Sequence, residues 1–249
     1  MRGAKADSLN IEKRALSKVS LLEDQPMCNE PDCDFEIIDL VGKEKYELKG
    51  FKSLPKYELL LVKCLPALSF TRTKHRLEYL RNAIPNGFQK KILKFNGEIV
   101  GTIEYAPPAF SCYPIHGEEI AVMNCVWVLS KAKGHGFGKE LVKSMIEDCS
   151  GIDGFATIAL EKHWSPWFRK WQIEKLGFKP IDSMNVKHKV KRTSKLFKVH
   201  LMWLPTNQDA ELPTWDKGKM AEGVEFCRGH PLYNTDSWKM KHIVEEVPV

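Results

Sequence analysis

From Phe35 onward, apolar positions fall either into runs short enough for strands or into spacings that suit helices. Phe35 to Val41 is a short apolar run of strand type, whereas Lys56 to Leu68 and Lys74 to Ala83 space their Leu and Tyr residues as amphipathic helices do. Phe88 to Phe95 and Glu98 to Tyr105 alternate or are rich in branched residues, and Asn96-Gly97 lies between them. Asn-Gly accepts positive φ at little cost, so this pair predicts a two-residue hairpin. Pro107 and Pro108 end its second strand. Ile120 to Val128 is a nearly continuous apolar strand that enters a glycine-rich turn and then a helix, Lys139 to Cys149. Phe155 to Glu161 reads as a strand and Ser165 to Lys175 as a helix, with Ser165 as N-cap and Pro166 in its first turn. Phe178 to Met184 and Leu196 to Leu204 are the last strands. Strand, two helices, a three-strand meander, helix, strand, helix and two strands make a mixed α/β (α+β) layer and not an alternating nucleotide-binding array. Residues 1–34 form an N-terminal arm, 35–204 the folded core, and 205–249 a turn-rich extension that covers it, carrying Pro213, Gly223, Trp215 and Trp238.

Composition narrows the class. Of 249 residues 43% are hydrophobic and 28% charged, enough for a substantial core and too apolar for a disordered chain. Lys and Arg outnumber Asp and Glu by 38 to 32, a formal charge of +6. The longest apolar stretches, Tyr57 to Leu68 and Ile120 to Leu129, are interrupted by Lys63 and Asn124 and fall well short of the roughly 20 residues a bilayer requires. Met1 to Asn10 mixes Arg2, Lys5 and Asp7 without an apolar core, so neither a secretory leader nor a membrane anchor is expected there. Seven scattered cysteines suit a reducing compartment, and the expected location is cytoplasmic.

The chemistry concentrates after the Ile120 to Val128 strand, where Lys133-Gly134-His135-Gly136-Phe137-Gly138-Lys139 opens the helix that carries Leu141, Val142 and Met145. Glycines leave backbone amides uncovered at a helix N-terminus, where unsatisfied donors and the positive end of the dipole favour a phosphate. A P-loop requires Gly-x-x-x-x-Gly-Lys-Ser/Thr, but Glu140 follows Lys139 and Lys133 stands where the first glycine belongs. A dinucleotide fingerprint requires Gly-x-Gly-x-x-Gly, and here the third glycine comes one residue early.

The turn resembles the Arg/Gln-x-x-Gly-x-Gly/Ala motif of the GCN5-related N-acetyltransferase (GNAT) superfamily, with Lys133 in the first position and Gly136 and Gly138 in the others. A second likeness lies about 40 residues on. Lys170-Trp-Gln-Ile-Glu-Lys-Leu-Gly177-Phe178-Lys179-Pro180 is similar to that family's helix-to-strand ending. The resemblance spans Phe35 to Leu204 and implies a central mixed, mostly antiparallel sheet flanked by helices. It further implies acetyl-CoA as cosubstrate, held by Lys133, Gly134, His135, Gly136, Phe137, Gly138 and Lys139, with the pantetheine arm along Cys125, Val126, Trp127 and Val128. A backbone N–H near Cys125 to Trp127 would polarise the thioester carbonyl while an amine attacks directly. Glu104 is the first candidate to take the amine's proton, followed by Glu161 and His163. The family's thiolate-protonating tyrosine maps to Ile173, which has no proton to give, leaving Tyr105, Cys125 or water as the donor. The family's asparagine before this helix is also missing, since the stretch reads Lys162-His163-Trp164-Ser165-Pro166-Trp167.

Other signals compete. Cys28, Cys33, Cys227 and His230 have ligand-compatible local spacings for a Cys₃His zinc site, although ordinary reduced cysteines satisfy the same pattern. Lys187-His-Lys-Val-Lys-Arg192 is a basic connection suited either to solvent or to an acidic partner such as nucleic acid. Trp164, Trp167, Phe168 and Trp171 read as the aromatic face of one helix. The expected activity is acetyl transfer from acetyl-CoA to a primary amine of a small molecule or protein. A catalytically weak CoA-binding or nucleic-acid-associated module on the same fold is the alternative, and a zinc-stabilised interaction protein is a third.

Overall fold

The structure is a computed structural model that describes residues 34–41, 60–62, 74–189, 195–227, 229–234 and 241–248. Its strands are β1 (Phe35–Asp39), β2 (Gln89–Phe95), β3 (Glu98–Ala106), β4 (Ile115–His116), β5 (Ile120–Val128), β6 (Gly154–Glu161), β7 (Lys179–His188), β8 (Phe197–Pro205), β9 (Thr214–Trp215) and β10 (Val244–Glu246). Its helices are α1 (Lys74–Ala83), α2 (Phe137–Asp148), α3 (Lys170–Glu174) and α4 (Lys217–Glu222). Eight strands form one sheet in the order β1-β2-β3-β5-β6-β8-β7-β10, and β4 and β9 pair separately. Every pairing in the large sheet is antiparallel except β5 with β6. This is the mixed, mostly antiparallel sheet expected from the sequence.

The β2–β3 hairpin turns at Asn96-Gly97, whose φ angles of 51° and 78° are both positive, as a two-residue loop of this kind requires. Helix α2 lies on one face of the sheet, with Phe137, Leu141, Val142, Met145 and Ile146 buried at the three- and four-residue spacing of a single stripe. On the other face α1 packs Leu77, Leu80 and Ala83 against Ile92, Ala106, Leu61 and Val62. No helix among the described residues is long and apolar enough to cross a membrane.

Three expectations are corrected. The helix expected from Ser165 to Lys175 is only five residues, Lys170–Glu174. Phe168 has a φ of 51°, which breaks any helix begun at Ser165, and the Ser165 hydroxyl accepts from the Trp167 amide two residues on instead of capping a helix. The aromatic residues are therefore not one face: Trp167 and Phe168 are buried and stacked with centroids 3.7 Å apart, while Trp164 and Trp171 are exposed. The extension after Leu204 is also more regular than expected. It contributes α4, pairs β9 with β4, and adds β10 to the edge of the main sheet through Val244–His188, Glu245–Lys187 and Glu246–Val186. Most of the Lys56 to Leu68 helix lies outside the described residues, of which 60–62 are helical.

Candidate functional site

The parallel β5–β6 pairing covers three residue pairs only, Ile120–Gly154, Ala121–Phe155 and Val122–Ala156. Beyond them the two strands part, although β5 continues to Val128 and β6 to Glu161. At the fork the Thr157 hydroxyl donates to the Met123 carbonyl at 2.7 Å, a side chain standing where a ladder bond would otherwise lie. On its other side β5 carries a bulge. Glu104 pairs with Cys125 and Tyr105 with Met123, so Asn124 is an extra residue on β5. Bulges bend the strand that contains them, and this one sits where β5 leaves β6.

At its far end β5 delivers the chain through a short turn at Ser130–Ala132 to the glycine loop. Gly134 and Gly136 have φ of 95° and 74°, and Gly136 caps α2 without a capping side chain. A β-carbon at either glycine would meet nothing within 4 Å, so the requirement there is the left-handed backbone and not space. The Lys139 and Glu140 amides turn back to the Gly136 carbonyl at 2.8 and 3.3 Å. Those of Gly134, Gly136, Phe137 and Gly138 meet no acceptor among the described residues. Four uncovered donors thus stand at the positive end of a 12-residue helix. His135 packs against Phe95 and stacks on Phe137, pinning the loop to β2.

The candidate catalytic residues sit in three different settings. Glu104 is 1% exposed and lies between Arg76 at 2.6 Å and Lys90 at 2.7 Å. Burial opposes its ionisation, but the two cations outweigh burial and hold the carboxyl below the usual range. A carboxylate so held has little affinity for a further proton. Tyr105 points to the opposite face and donates to Asp148, the last residue of α2, at 2.5 Å. Burial, with the Asp148 carboxylate beside it, raises the phenol far above its ordinary value. At 1.5 Å per residue, Asp148 stands about 16 Å along the helix from the glycine loop.

Glu161 is different: it ends β6, remains 38% exposed and accepts from His200 Nε2 at 2.8 Å. That hydrogen bond outweighs partial burial and lowers the Glu161 carboxyl, while burial lowers His200. Glu161 also lines a cleft of ≈ 380 Å³ together with Leu160, Lys162, Arg169, Lys170 and Trp171. His163 is buried, and its Nδ1 accepts from the Ser165 amide, so Nε2 carries the proton shared with His188 at 2.9 Å. On β5, Cys125 is buried, Val126 and Val128 are partly buried, and the Trp127 indole Nε1 meets no acceptor among the described residues.

Arg76, Lys90 and His200 carry no local signal in the sequence, because their partners come from other strands and helices. Cys227 and His230 enter the sequence pattern only through the zinc alternative. Both ring nitrogens of His230 are engaged, Nδ1 by the Leu232 amide and Nε2 by the Tyr113 hydroxyl. No group of three metal-ligating side chains occurs among the described residues, and Cys28 and Cys33 lie outside them. Of the basic connection, Lys187 pairs with Glu245, while 190–194 lie outside the described residues.

Residues 58–164, which include α1, β2 to β6, the fork and the glycine loop, match the model of the acetyltransferase (GNAT) family. This segment belongs to the GNAT family. The uncharacterized N-acetyltransferase YoaP of Bacillus subtilis (strain 168) is a relative in sequence, 33% identical over 78 residues, or 30% of this chain and 31% of that protein. The chain therefore spans less than a third of that relative's length. Similar solved structures include the IAA acetyltransferase of Bacillus cereus ATCC 14579, with 11% identity over 70% of this chain and 99% of that one, TM-score 0.39. Another is a candidate streptothricin acetyltransferase of Bacillus anthracis str. Ames in complex with acetyl coenzyme A, with 14% identity over 48% of this chain and 62% of that one, TM-score 0.35. Past the GNAT segment, Ile173 is 1% exposed and packed into the core.

The Glu104 cluster yields a stability prediction. Glu104→Gln leaves Arg76 and Lys90 buried without their shared carboxylate and should lower the unfolding free energy by about 3–5 kcal/mol, measured by urea denaturation at pH 7. Glu104 titrates lower folded than unfolded, so its stabilisation is complete above the unfolded value of about 4.3 and is lost as pH falls through the folded one. The wild-type urea midpoint should therefore fall more steeply than the variant's below about pH 4.3. Equal stabilities at pH 7 would contradict this assignment.

Proposed function

We propose that this chain transfers an acetyl group from acetyl-CoA to a primary amine, carried by a small molecule or a protein, by direct attack within a ternary complex. The observation that carries this reading is the set of uncovered amides at Gly134, Gly136, Phe137 and Gly138, placed at a helix N-terminus directly downstream of a strand that has parted from its neighbour. A diphosphate fits the first feature, because unsatisfied donors and the helix dipole act on it together. An extended amide-bearing arm fits the second. The edge of β5 beyond Val122 is not paired with β6, so pantetheine can add to it as a strand does. Lys133 and Lys139 flank the loop and add positive charge beside the phosphates. His135 supports the loop through Phe95 and Phe137.

With the thioester beside Cys125, Val126, Trp127 and Val128, backbone amides of this strand stabilise the developing oxyanion. The amine nitrogen bonds to the carbonyl carbon, the carbon–sulfur bond breaks, and the thiolate leaves with its electron pair. The ammonium proton passes to a base. Glu161 and His163 line the same cleft, but His163 is buried with both ring nitrogens engaged, so the partly exposed Glu161 is the candidate, and His200 behind it orients the carboxylate. Glu104 and Tyr105 serve the scaffold, one as the anion of a buried cluster and the other as a strut to α2. Ile173 offers no proton and the Tyr105 hydroxyl is committed to Asp148, which leaves Cys125 or water to protonate the thiolate.

Calorimetric titration with acetyl-CoA tests the reading. The wild-type protein should bind one equivalent saturably, and Gly136→Val should abolish binding while an unchanged circular-dichroism spectrum shows the fold intact. Unaltered affinity in that variant would remove the loop from the site. Once an amine screen monitored by thiol release has found an acceptor, Glu161→Gln should lower kcat by about 100-fold at unchanged acetyl-CoA affinity. An unaltered kcat would exclude Glu161 as the base.

A further inference from the structure

The bulged residue Asn124 is fully buried, and three hydrogen bonds hold it. Its Nδ2 donates to the Tyr79 hydroxyl at 2.6 Å, its Oδ1 accepts from the Cys112 amide at 3.1 Å, and its backbone carbonyl accepts from the Tyr113 hydroxyl at 3.0 Å. The Tyr113 hydroxyl in turn meets His230 Nε2 at 3.0 Å, from the C-terminal extension 117 residues away. The direction of this chain of bonds follows from His230 itself. Its Nδ1 faces the Leu232 amide at 2.9 Å, and a backbone N–H can only donate. Nδ1 is therefore the acceptor nitrogen, and Nε2 carries the proton. Leu232 N–H donates to His230, His230 Nε2–H to Tyr113, and Tyr113 O–H to the Asn124 carbonyl. Trp167, with its ring centroid 4.2 Å from that of His230, and Phe226 fix the imidazole plane.

We propose that His230 is a positioning residue for acetyl transfer: through Tyr113 it locks the Asn124 peptide plane, and so sets the direction in which Cys125 to Trp127 leave β6 and present their amides to the thioester. The inference rests on the function proposed above. Its physical basis is the planarity of the peptide group, since a carbonyl held from one side cannot rotate without rotating the amide joined to it. Successive donors also polarise one another, so each bond in the row strengthens the next. His230 is not the base that takes the amine's proton, because its one lone pair is committed to Leu232. The extension after the last expected strand thereby becomes part of the active-site architecture, although His230 touches no substrate.

The test needs only acetyl-CoA labelled with carbon-13 at the carbonyl. At saturation, the isotope-edited infrared band of the bound carbonyl should lie at lower wavenumber than that of the free thioester in the wild-type protein. Tyr113→Phe and His230→Leu should return it toward the free value. His230→Gln, whose amide can still donate to Tyr113, should retain most of the shift. The double variant Tyr113→Phe/His230→Leu should match either single one, because the row acts as a unit. The same band position in the wild type, Tyr113→Phe and His230→Gln, all binding acetyl-CoA equally, would overturn the proposal even if His230→Leu failed to fold. A wild-type protein that does not bind acetyl-CoA would instead overturn the functional reading on which it stands.

Discussion

Strand β5 is paired along most of its length on one side and along only three residues on the other. A strand in the middle of a sheet ordinarily has partners on both sides, and backbone groups left without them must find side chains, water or a ligand. Here the Thr157 hydroxyl satisfies the Met123 carbonyl at the fork. Beyond it β5 runs to Val128 beside no β6 partner and ends at a loop whose amides are uncovered as well. Both deficits lie on one continuous stretch of chain, from the bulge at Asn124 to Gly138. An extended molecule with amides along its length and a diphosphate at one end satisfies the two together.

Such an opening is held in shape by polar groups that are buried or half-buried against the sheet. On the α1 face, Arg76 and Lys90 close around Glu104, which lies opposite Cys125 in the β3–β5 register. Next to them Tyr79, Cys112 and Tyr113 enclose Asn124. On the α2 face, Tyr105 ties the end of β3 to the end of α2 through Asp148. Buried hydrogen bonds of this kind specify geometry more than they add stability, because each group left unpaired carries the full cost of desolvation. They explain how a bulged strand can keep one direction without a full ladder on its free edge. They also explain why two candidates for proton transfer, Glu104 and Tyr105, have their ionisation states fixed by neighbours.

The parts of this fold legible in the sequence are those set by local chemistry. Asn96-Gly97 turns where its tolerance of positive φ predicts, and the glycine-rich stretch after the Ile120 to Val128 strand opens a helix as expected. The mixed, mostly antiparallel sheet is the one implied by the resemblance that the glycine turn and the Leu176-Gly177-Phe178 ending carry. What stayed hidden depends on residues distant in sequence. Nothing near Glu104 announces Arg76, and nothing near Asn124 announces His230, 106 positions later. The aromatic residues from Trp164 to Trp171 mimic a helical face, yet the positive φ at Phe168 ends that pattern, a backbone state that periodicity cannot register. Likewise Val244 to Glu246 is too short a run to read as a strand until β7 supplies an edge for it.

Acetyl-CoA bound as proposed occupies the fork and the glycine loop at once. Backbone amide NMR of the nitrogen-15-labelled protein during titration with acetyl-CoA tests it directly. The largest shifts should fall together on Gly134, Gly136, Phe137, Gly138 and the amides of Cys125 to Val128, saturating at one common concentration. Shifts confined to other elements, or two groups saturating separately, would contradict it.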